Sequence, residues 1–316
     1  MRVFSDAQVQ EVLPWKALIS GLKETFAKGI SLPLRTAHTV PVPGEPDASF
    51  LAMPAWEVGG KLAVKMLYIV PGNSVRGLPT INATVLVFDA VTGQVQAAME
   101  GGELTARRTA ATSALAASMM ARKDARSLLI VGAGKIASNL IPAHRTVRDY
   151  DEIKIWARRP EQAQALADQF DDNVTAVSDL DAALPHADVV AAATFTKDPL
   201  IKGALLKDGA HLDLVGGYTT EMREADNEAI RRAAGHIIVE TFEGARAEAG
   251  DITQPLKDGA ITEADIAGDL AGLCQGKVQA RTDDSQITFF KSVGAALEDF
   301  VAARMVTESQ TQTEDQ

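Results

Sequence analysis

Two groups of residues in this sequence are suited to chemistry. The first is the run Leu128-Leu129-Ile130-Val131-Gly132-Ala133-Gly134-Lys135-Ile136-Ala137. An apolar stretch ends in a glycine turn with the spacing G-x-G-x-x-A, and a helix start comes next. Between a strand and a helix, that spacing cradles a dinucleotide pyrophosphate. Gly132 permits the turn, Gly134 lets backbone N–H groups approach an anion, and Ala137 lets the helix pack closely on the strand. The helix N-terminus favours the negative charge. The second group is basic. Lys65 interrupts the apolar run Ala63-Val64-Lys65-Met66-Leu67, Arg108 lies in a small-residue helix, and Arg35 stands in Leu32-Pro33-Leu34-Arg35-Thr36. A charge on an apolar face is costly unless partnered. Each of these three is therefore half of an ion pair, a snorkelling surface chain, or part of an anion site.

The second strand after the glycine turn refines the first reading. A site for NAD places an acid near its end, about 20 residues on. Here the chain reads Trp156-Ala157-Arg158-Arg159-Pro160, without an acid. Two guanidiniums suit a 2′-phosphate, because Arg matches phosphate geometry. NADPH is the expected cofactor, with NADH as the alternative. Thr194 ends the apolar strand Val189–Ala193, and ligands collect at the carboxyl ends of such strands. It is expected beside the cofactor, and Val215 and Gly216 are assigned to the same site.

The elements that must position these groups emerge from periodicity and turn chemistry. Ser5 and Gln8 have capping-box spacing, and an amphipathic stretch runs to Lys28, before Gly29. Residues 32–60 are rich in Pro and Gly. Lys61–Val70 and Thr84–Asp89 read as strands, with turns at Pro71-Gly72-Asn73 and Val91-Thr92-Gly93. Leu104–Arg122 is Ala-rich and predicts a long helix. The first ~120 residues thus read as an α+β unit. From Ser127 onward, short apolar runs alternate with helical stretches. Ser127–Val131, Ile153–Ala157, Val174–Val177, Val189–Ala193, Leu212–Val215 and Ile237–Glu240 supply strands of a doubly wound parallel sheet, a Rossmann arrangement. A last helix spans about Ser292–Val306. The tail Thr307–Gln316 is polar and reads as disordered.

Composition narrows the class. The chain has 316 residues and a formal net charge of −11, which argues against general affinity for nucleic acid or anionic membranes. No apolar run approaches the ~18 residues of a membrane span, and Met1–Gln10 lack the pattern of a secretory signal. The single cysteine, Cys274, rules out an internal disulfide and fits a reducing cytoplasm. The histidines His38, His144, His186, His211 and His236 are not paired at metal-ligand spacing, so no metal is expected.

Several segments also carry a resemblance. Lys65 with Pro71, Asn73 and Gly77-Leu78-Pro79 is one. Phe88-Asp89, Thr92-Gly93 and Leu104-Thr105-Ala106 with Arg108-Thr109-Ala110-Ala111 are others. With Gly132-Ala133-Gly134 and the ending Phe290-Lys291-Ser292-Val293-Gly294, Ala296, Glu298-Asp299, the chain resembles the ornithine cyclodeaminase/mu-crystallin family over nearly its whole length. The resemblance implies a homodimer and a substrate-binding and dimerisation domain built from both chain ends. Residues 1–120 with 290–306 would form it, and 121–289 the dinucleotide-binding domain. It implies that Arg35, Lys65 and Arg108 bind a substrate carboxylate, that Thr80 lines the same site, and that Thr109 belongs to the cofactor site. Cyclodeaminases of the family have an acid directly after Val-Gly-Gly. Here Val215-Gly216-Gly217 is followed by Tyr218, and Asp213-Leu214-Val215-Gly216-Gly217-Tyr218 with Met222-Arg223-Glu224-Ala225-Asp226 more closely resembles the pyrroline-2-carboxylate reductases. The expected activity is NAD(P)H-dependent reduction of 1-pyrroline-2-carboxylate to L-proline, with Lys65 as the catalytic residue near the imine. An ornithine cyclodeaminase, an alanine dehydrogenase and a non-catalytic NADPH-binding protein are the alternatives.

Overall fold

The computed structural model describes residues 1–171 and 173–309, which form two compact units. The first comprises Met1–Arg108 and the segment from Ala295 onward; the second is Thr109–Gly294. The sequence reading places the boundaries at 120/121 and 289/290. In the structure they fall at 108/109, inside the helix Gly101–Met120, and at 294/295.

In the first unit, the N-terminal amphipathic stretch is two helices, Asp6–Val12 and Trp15–Lys28, divided at Pro14. Ser5 and Gln8 make the predicted capping box, and Gly29 ends the second helix at a φ of 77°. The sheet has six strands: β1 (Arg2–Phe4), β2 (Thr36–Val40), β3 (Ala48–Trp56), β4 (Lys61–Ile69), β5 (Ile81–Asp89) and β6 (Val95–Glu100). Their order is β1-β6-β5-β4-β3-β2. Neighbours are antiparallel, except that β1 runs parallel to β6.

Because side chains alternate along a strand, register decides which residues share a face. Met53, Lys65, Val85 and Met99 stand opposite one another across β3 to β6. All are buried, beneath the C-terminal helix Ala296–Ser309, which packs on β3, β4 and β5 and against Trp15–Lys28. Gly21 permits that helix contact, since a Cβ there would lie 3.3 Å from Val301 Cγ1. The opposite face carries Pro54, Val64 and Leu86 in one row and Trp56, Leu62 and Phe88 in the next. These large apolar side chains remain half-buried.

The chain end departs from the sequence-based expectation. The last helix begins at Ala296 rather than Ser292 and continues through Thr307 to Ser309. Thr307 is buried, its hydroxyl donates to Ala303 O (2.7 Å), and its carbonyl accepts from Arg2 Nη2 (2.6 Å). These bonds satisfy the polar groups that give the segment the look of a tail. Residues 310–316 of the expected tail lie outside the described residues.

The second unit is an eight-stranded sheet, parallel throughout: β7 (Ser127–Val131), β8 (Glu152–Trp156), β9 (Val174–Val177), β10 (Val189–Ala192), β11 (His211–Leu214), β12 (Ile237–Val239), β13 (Ile266–Asp269) and β14 (Thr288–Lys291). The order is β13-β12-β14-β11-β10-β7-β8-β9. The chain winds outward from β7 through β8 to β9, then returns to β10 on the other side of β7. That reversal makes a crevice at the carboxyl ends of β7 and β10, where α/β sheets bind ligands. Every residue of β10, β11, β12 and β14 is buried, as expected for strands covered on both faces. Among the described residues, no helix is long and apolar enough to cross a membrane.

Candidate active site

Lys65 and Arg108 are brought together by the first unit. Lys65, 1% exposed, points from β4 to both carboxylate oxygens of Asp299, at 2.9 and 2.8 Å. Arg108 donates from Nε to Asp299 Oδ1 (2.9 Å) and from Nη1 to Glu298. Both acids are buried. The adjacent Arg107 turns elsewhere: its Nε and Nη2 donate to Leu13 O, and its guanidinium lies 4.1 Å from the Trp15 ring centre. Arg107 thus braces the N-terminal helices, and Arg108 alone of the two joins the ion cluster.

Burial, followed by the charge of Arg108, pulls the Lys65 ammonium from 10.5 down to about 8, against the opposing pull of Asp299. A lysine held there can give up a proton near neutral pH, which an exposed lysine does poorly.

Arg35 is half-buried just upstream of β2. Extending the β2–β3 register by one residue sets it level with Met53, itself opposite Lys65. Thr80 closes the β4–β5 hairpin, its carbonyl accepting from Val70 N at 2.8 Å. The strand partner of Lys65 is Val85, so Thr80 stands roughly 16 Å along the strand at ~3.3 Å per residue. Two acids of this site, Glu298 and Asp299, have no site role in the sequence reading. The signal was available: adjacent acids in the otherwise apolar first half of that helix, Ala296–Ala303, face the same cost as Lys65 in its strand.

In the second unit, Gly132 takes a φ of 127°, and a Cβ there would lie 2.8 Å from Ala193 O. Its glycine is required by the fold. Gly134 is different. It caps the helix Lys135–Val147 at an ordinary φ of −87°, is exposed, and a Cβ would meet nothing within 4 Å. The chain itself gives no reason for glycine there; an anion approaching the backbone does. The N-cap Gly134 offers no side-chain cap to this helix, and Ala137 is fully buried. Ala133, Gly134, Lys135 and Ser138 line a cavity of about 310 Å³. These features fit a dinucleotide pyrophosphate. Arg158 and Arg159 are exposed directly after β8, and among the described residues neither has an ion-pair partner.

Thr109 is buried beside Arg108. Thr194 follows β10 and donates from N–H and hydroxyl to Glu224, each at 2.7 Å. Val215 N donates to Ala192 O (2.9 Å), and Gly216 N to Glu224 (2.9 Å). Thr194, Val215 and Gly216 therefore gather at adjacent strand ends. Glu224, which holds two of them, is given no site role by sequence, because only the folded sheet brings Thr194 and the Gly216-Gly217 turn to one carboxylate. Tyr218 stands at the same edge, its ring 5.9 Å from that of Phe195.

A parallel doubly wound sheet with an open glycine turn defines the second unit as a Rossmann dinucleotide-binding fold. Comparison with known proteins narrows this. Residues 3–314 match the ornithine cyclodeaminase/mu-crystallin family. The Delta(1)-pyrroline-2-carboxylate reductase of Paracoccus denitrificans is 38% identical over 284 residues, 86% of this chain and 89% of the relative. That of Colwellia psychrerythraea is 34% identical over 98% of this chain and 99% of its own. The structure of the Thermococcus litoralis enzyme of the same name, in complex with NADH and L-proline, superposes with a TM-score of 0.91. It has 31% identity and covers 99% of this chain and 98% of its own. The chain belongs to the ornithine cyclodeaminase/mu-crystallin family.

The depressed Lys65 value has a measurable consequence for stability. Between about pH 8 and 10.5 the folded state binds fewer protons than the unfolded one. This group's contribution therefore rises with pH across that window, and the penalty is full below it. Lys65→Met should flatten the stability profile from urea unfolding between pH 8 and 10.5. An unchanged slope would show that Lys65 titrates normally.

Proposed function

We propose that this chain is an NAD(P)H-dependent reductase that converts 1-pyrroline-2-carboxylate to L-proline. The observation that carries the reading is the buried Lys65–Arg108 pair, with Lys65 held at about 8. The names of the Paracoccus and Colwellia relatives support it, as do the NADH and L-proline in the Thermococcus structure. The substrate is a ring imine bearing a carboxylate. Arg108 and Arg35 hold that carboxylate, a planar guanidinium being suited to two-point contact. Lys65 and Arg108 face Glu298 and Asp299. A bound dihydronicotinamide supplies the hydride that C2 receives. Lys65 gives its proton to the ring nitrogen as the C=N bond becomes CH–NH, and solvent restores it. Cytoplasmic location is part of the proposal, on the chain's single cysteine.

The proton donor must be charged to act, so imine reduction should be level below about pH 8 and fall above it. Lys65→Ala and Arg108→Ala should each lower kcat/KM by at least ~10-fold, about 1.4 kcal/mol. The assay is NADPH oxidation with 1-pyrroline-2-carboxylate, run beside ammonia release from L-ornithine. Tyr218 stands where a lyase of the family carries an acid, and a phenol with a pKa near 10 is a poor base at neutral pH. Rapid ammonia release without imine reduction would restore the cyclodeaminase reading.

We infer a preference for NADPH from Arg158 and Arg159, exposed and without an acid beside them. Replacing both with Ala should raise the KM for NADPH far more than that for NADH. Equal changes would show that neither arginine reads a 2′-phosphate.

The half-buried apolar face of β3–β5 supports a homodimer, because a patch built from Pro54, Trp56, Leu62, Val64, Leu86 and Phe88 is the kind of surface a partner covers. A charge placed there should cost the assembly its contact. Val64→Glu should elute as a monomer at concentrations where the wild type is dimeric by light scattering. A variant that stays dimeric would move the interface elsewhere.

A further inference from the structure

The carboxyl ends of β10 and β11 carry an arrangement that the proposed reaction does not use. Glu224 lies in the segment after β11 and is fully buried. Its Oε1 accepts from the N–H and the hydroxyl of Thr194, each at 2.7 Å. Its Oε2 accepts from the N–H of Gly216 at 2.9 Å and of Gly217 at 3.3 Å. One carboxylate thus bonds the loop after β10 to the loop after β11. The clamp is itself anchored. Asp251 Oδ1 accepts from the N–H groups of Glu224 (2.8 Å) and Ala225 (3.1 Å). Lys291, at the end of β14, sits 3.1 Å from Asp251 and 3.9 Å from Glu224. The loops also fit without slack, since a Cβ on Gly216 would fall 2.1 Å from Thr194 N.

Each clamped segment leads straight into an aromatic residue. Phe195 comes directly after Thr194, and Tyr218 directly after Gly217. Their rings meet edge to face, 5.9 Å apart at 89°. Phe195 is 63% exposed, a large apolar ring held out at the ligand-binding edge of the sheet. A dinucleotide with its pyrophosphate at the glycine turn after β7 lies across the reversal point. Arg158 and Arg159 mark the β8 side for the adenosine half. The other half falls on the side of β10 and β11, where a flat aromatic ring suits an aromatic wall.

We infer that Glu224 is a positioning residue: by clamping the loops after β10 and β11, it sets Phe195 and Tyr218 as a wall for the nicotinamide half of the cofactor. The inference rests on the nicotinamide cofactor of the proposed function, but not on the imine substrate. It is tested by binding alone. Glu224→Gln keeps the shape of the side chain but turns an NH2 group toward two of its four donors. NADPH and NADH affinities should fall at least ~10-fold, because unmet buried donors are costly. ADP-ribose and its 2′-phosphate, which lack the nicotinamide, should bind within ~2-fold of wild type. Phe195→Ala should show the same split at about 3-fold, through loss of ring contact. Circular dichroism checks folding, and if Glu224→Gln does not fold, Phe195→Ala and Thr194→Val carry the test. Equal weakening of both ligand types would make the clamp merely structural and overturn the inference; so would no weakening of either. Wild-type protein that binds neither ligand type would overturn the cofactor reading and this inference with it.

Discussion

Lys65 is buried in β4 and could not remain charged there without Asp299. Taking an ammonium out of water costs several kcal/mol even after relaxation. The last helix of the chain returns to supply the counter-charge, with both carboxylate oxygens in contact. Arg108 is bound by the same acid, so strand, long helix and final helix meet at one carboxylate. Apolar residues of similar volume would pack this place as well or better. Stability alone therefore does not account for the arrangement, which is compatible with the anion-binding role proposed above.

The second unit solves a related problem with backbone rather than side chains. Its crevice lies where the winding direction reverses, and close approach there is bought with glycine. Gly132 and Gly216 admit neighbouring loops within distances a Cβ would forbid. Gly134 serves no such packing and stays open. The contrast separates glycines that the packing of the sheet edge requires from one that it does not. Glu224 applies the logic of Asp299 again: a buried carboxylate satisfied by several donors fixes parts of the chain that are distant in sequence.

Much of this was legible in the residues. The strand reading over Lys61–Val70 set Lys65 as a lone charge in an apolar run, and the run before Gly132 read as a strand covered on both sides. Other parts were hidden for identifiable reasons. β14 is four residues long, and periodicity cannot tell so short an apolar run from a helix start. β3 contains Pro54, which argues against an interior strand. The structure admits it because the β2 pairing ends at Ala52, leaving no ladder partner on that side to need the missing N–H. Thr307 looked like the start of a tail because its partners, Arg2 and Ala303, include one from the opposite chain end. Glu224 falls in a segment that carries the resemblance, but its acceptor role was hidden for the same kind of reason, being set by loops that only the folded sheet brings together.

The first unit is interrupted by the whole of the second, from Thr109 to Gly294. During synthesis the six strands leave the ribosome long before the helix that covers them. At ~5–20 residues per second, roughly 190 intervening residues take roughly 10 to 40 s to add. Through that interval Lys65 and Arg108 have no Asp299, and the apolar row of Met53, Val85 and Met99 has no lid. The contiguous second unit meanwhile has all its strands and can fold on its own emergence. The nascent sheet is thus the stage most exposed to misassociation, and the stage at which a chaperone would find apolar surface to hold.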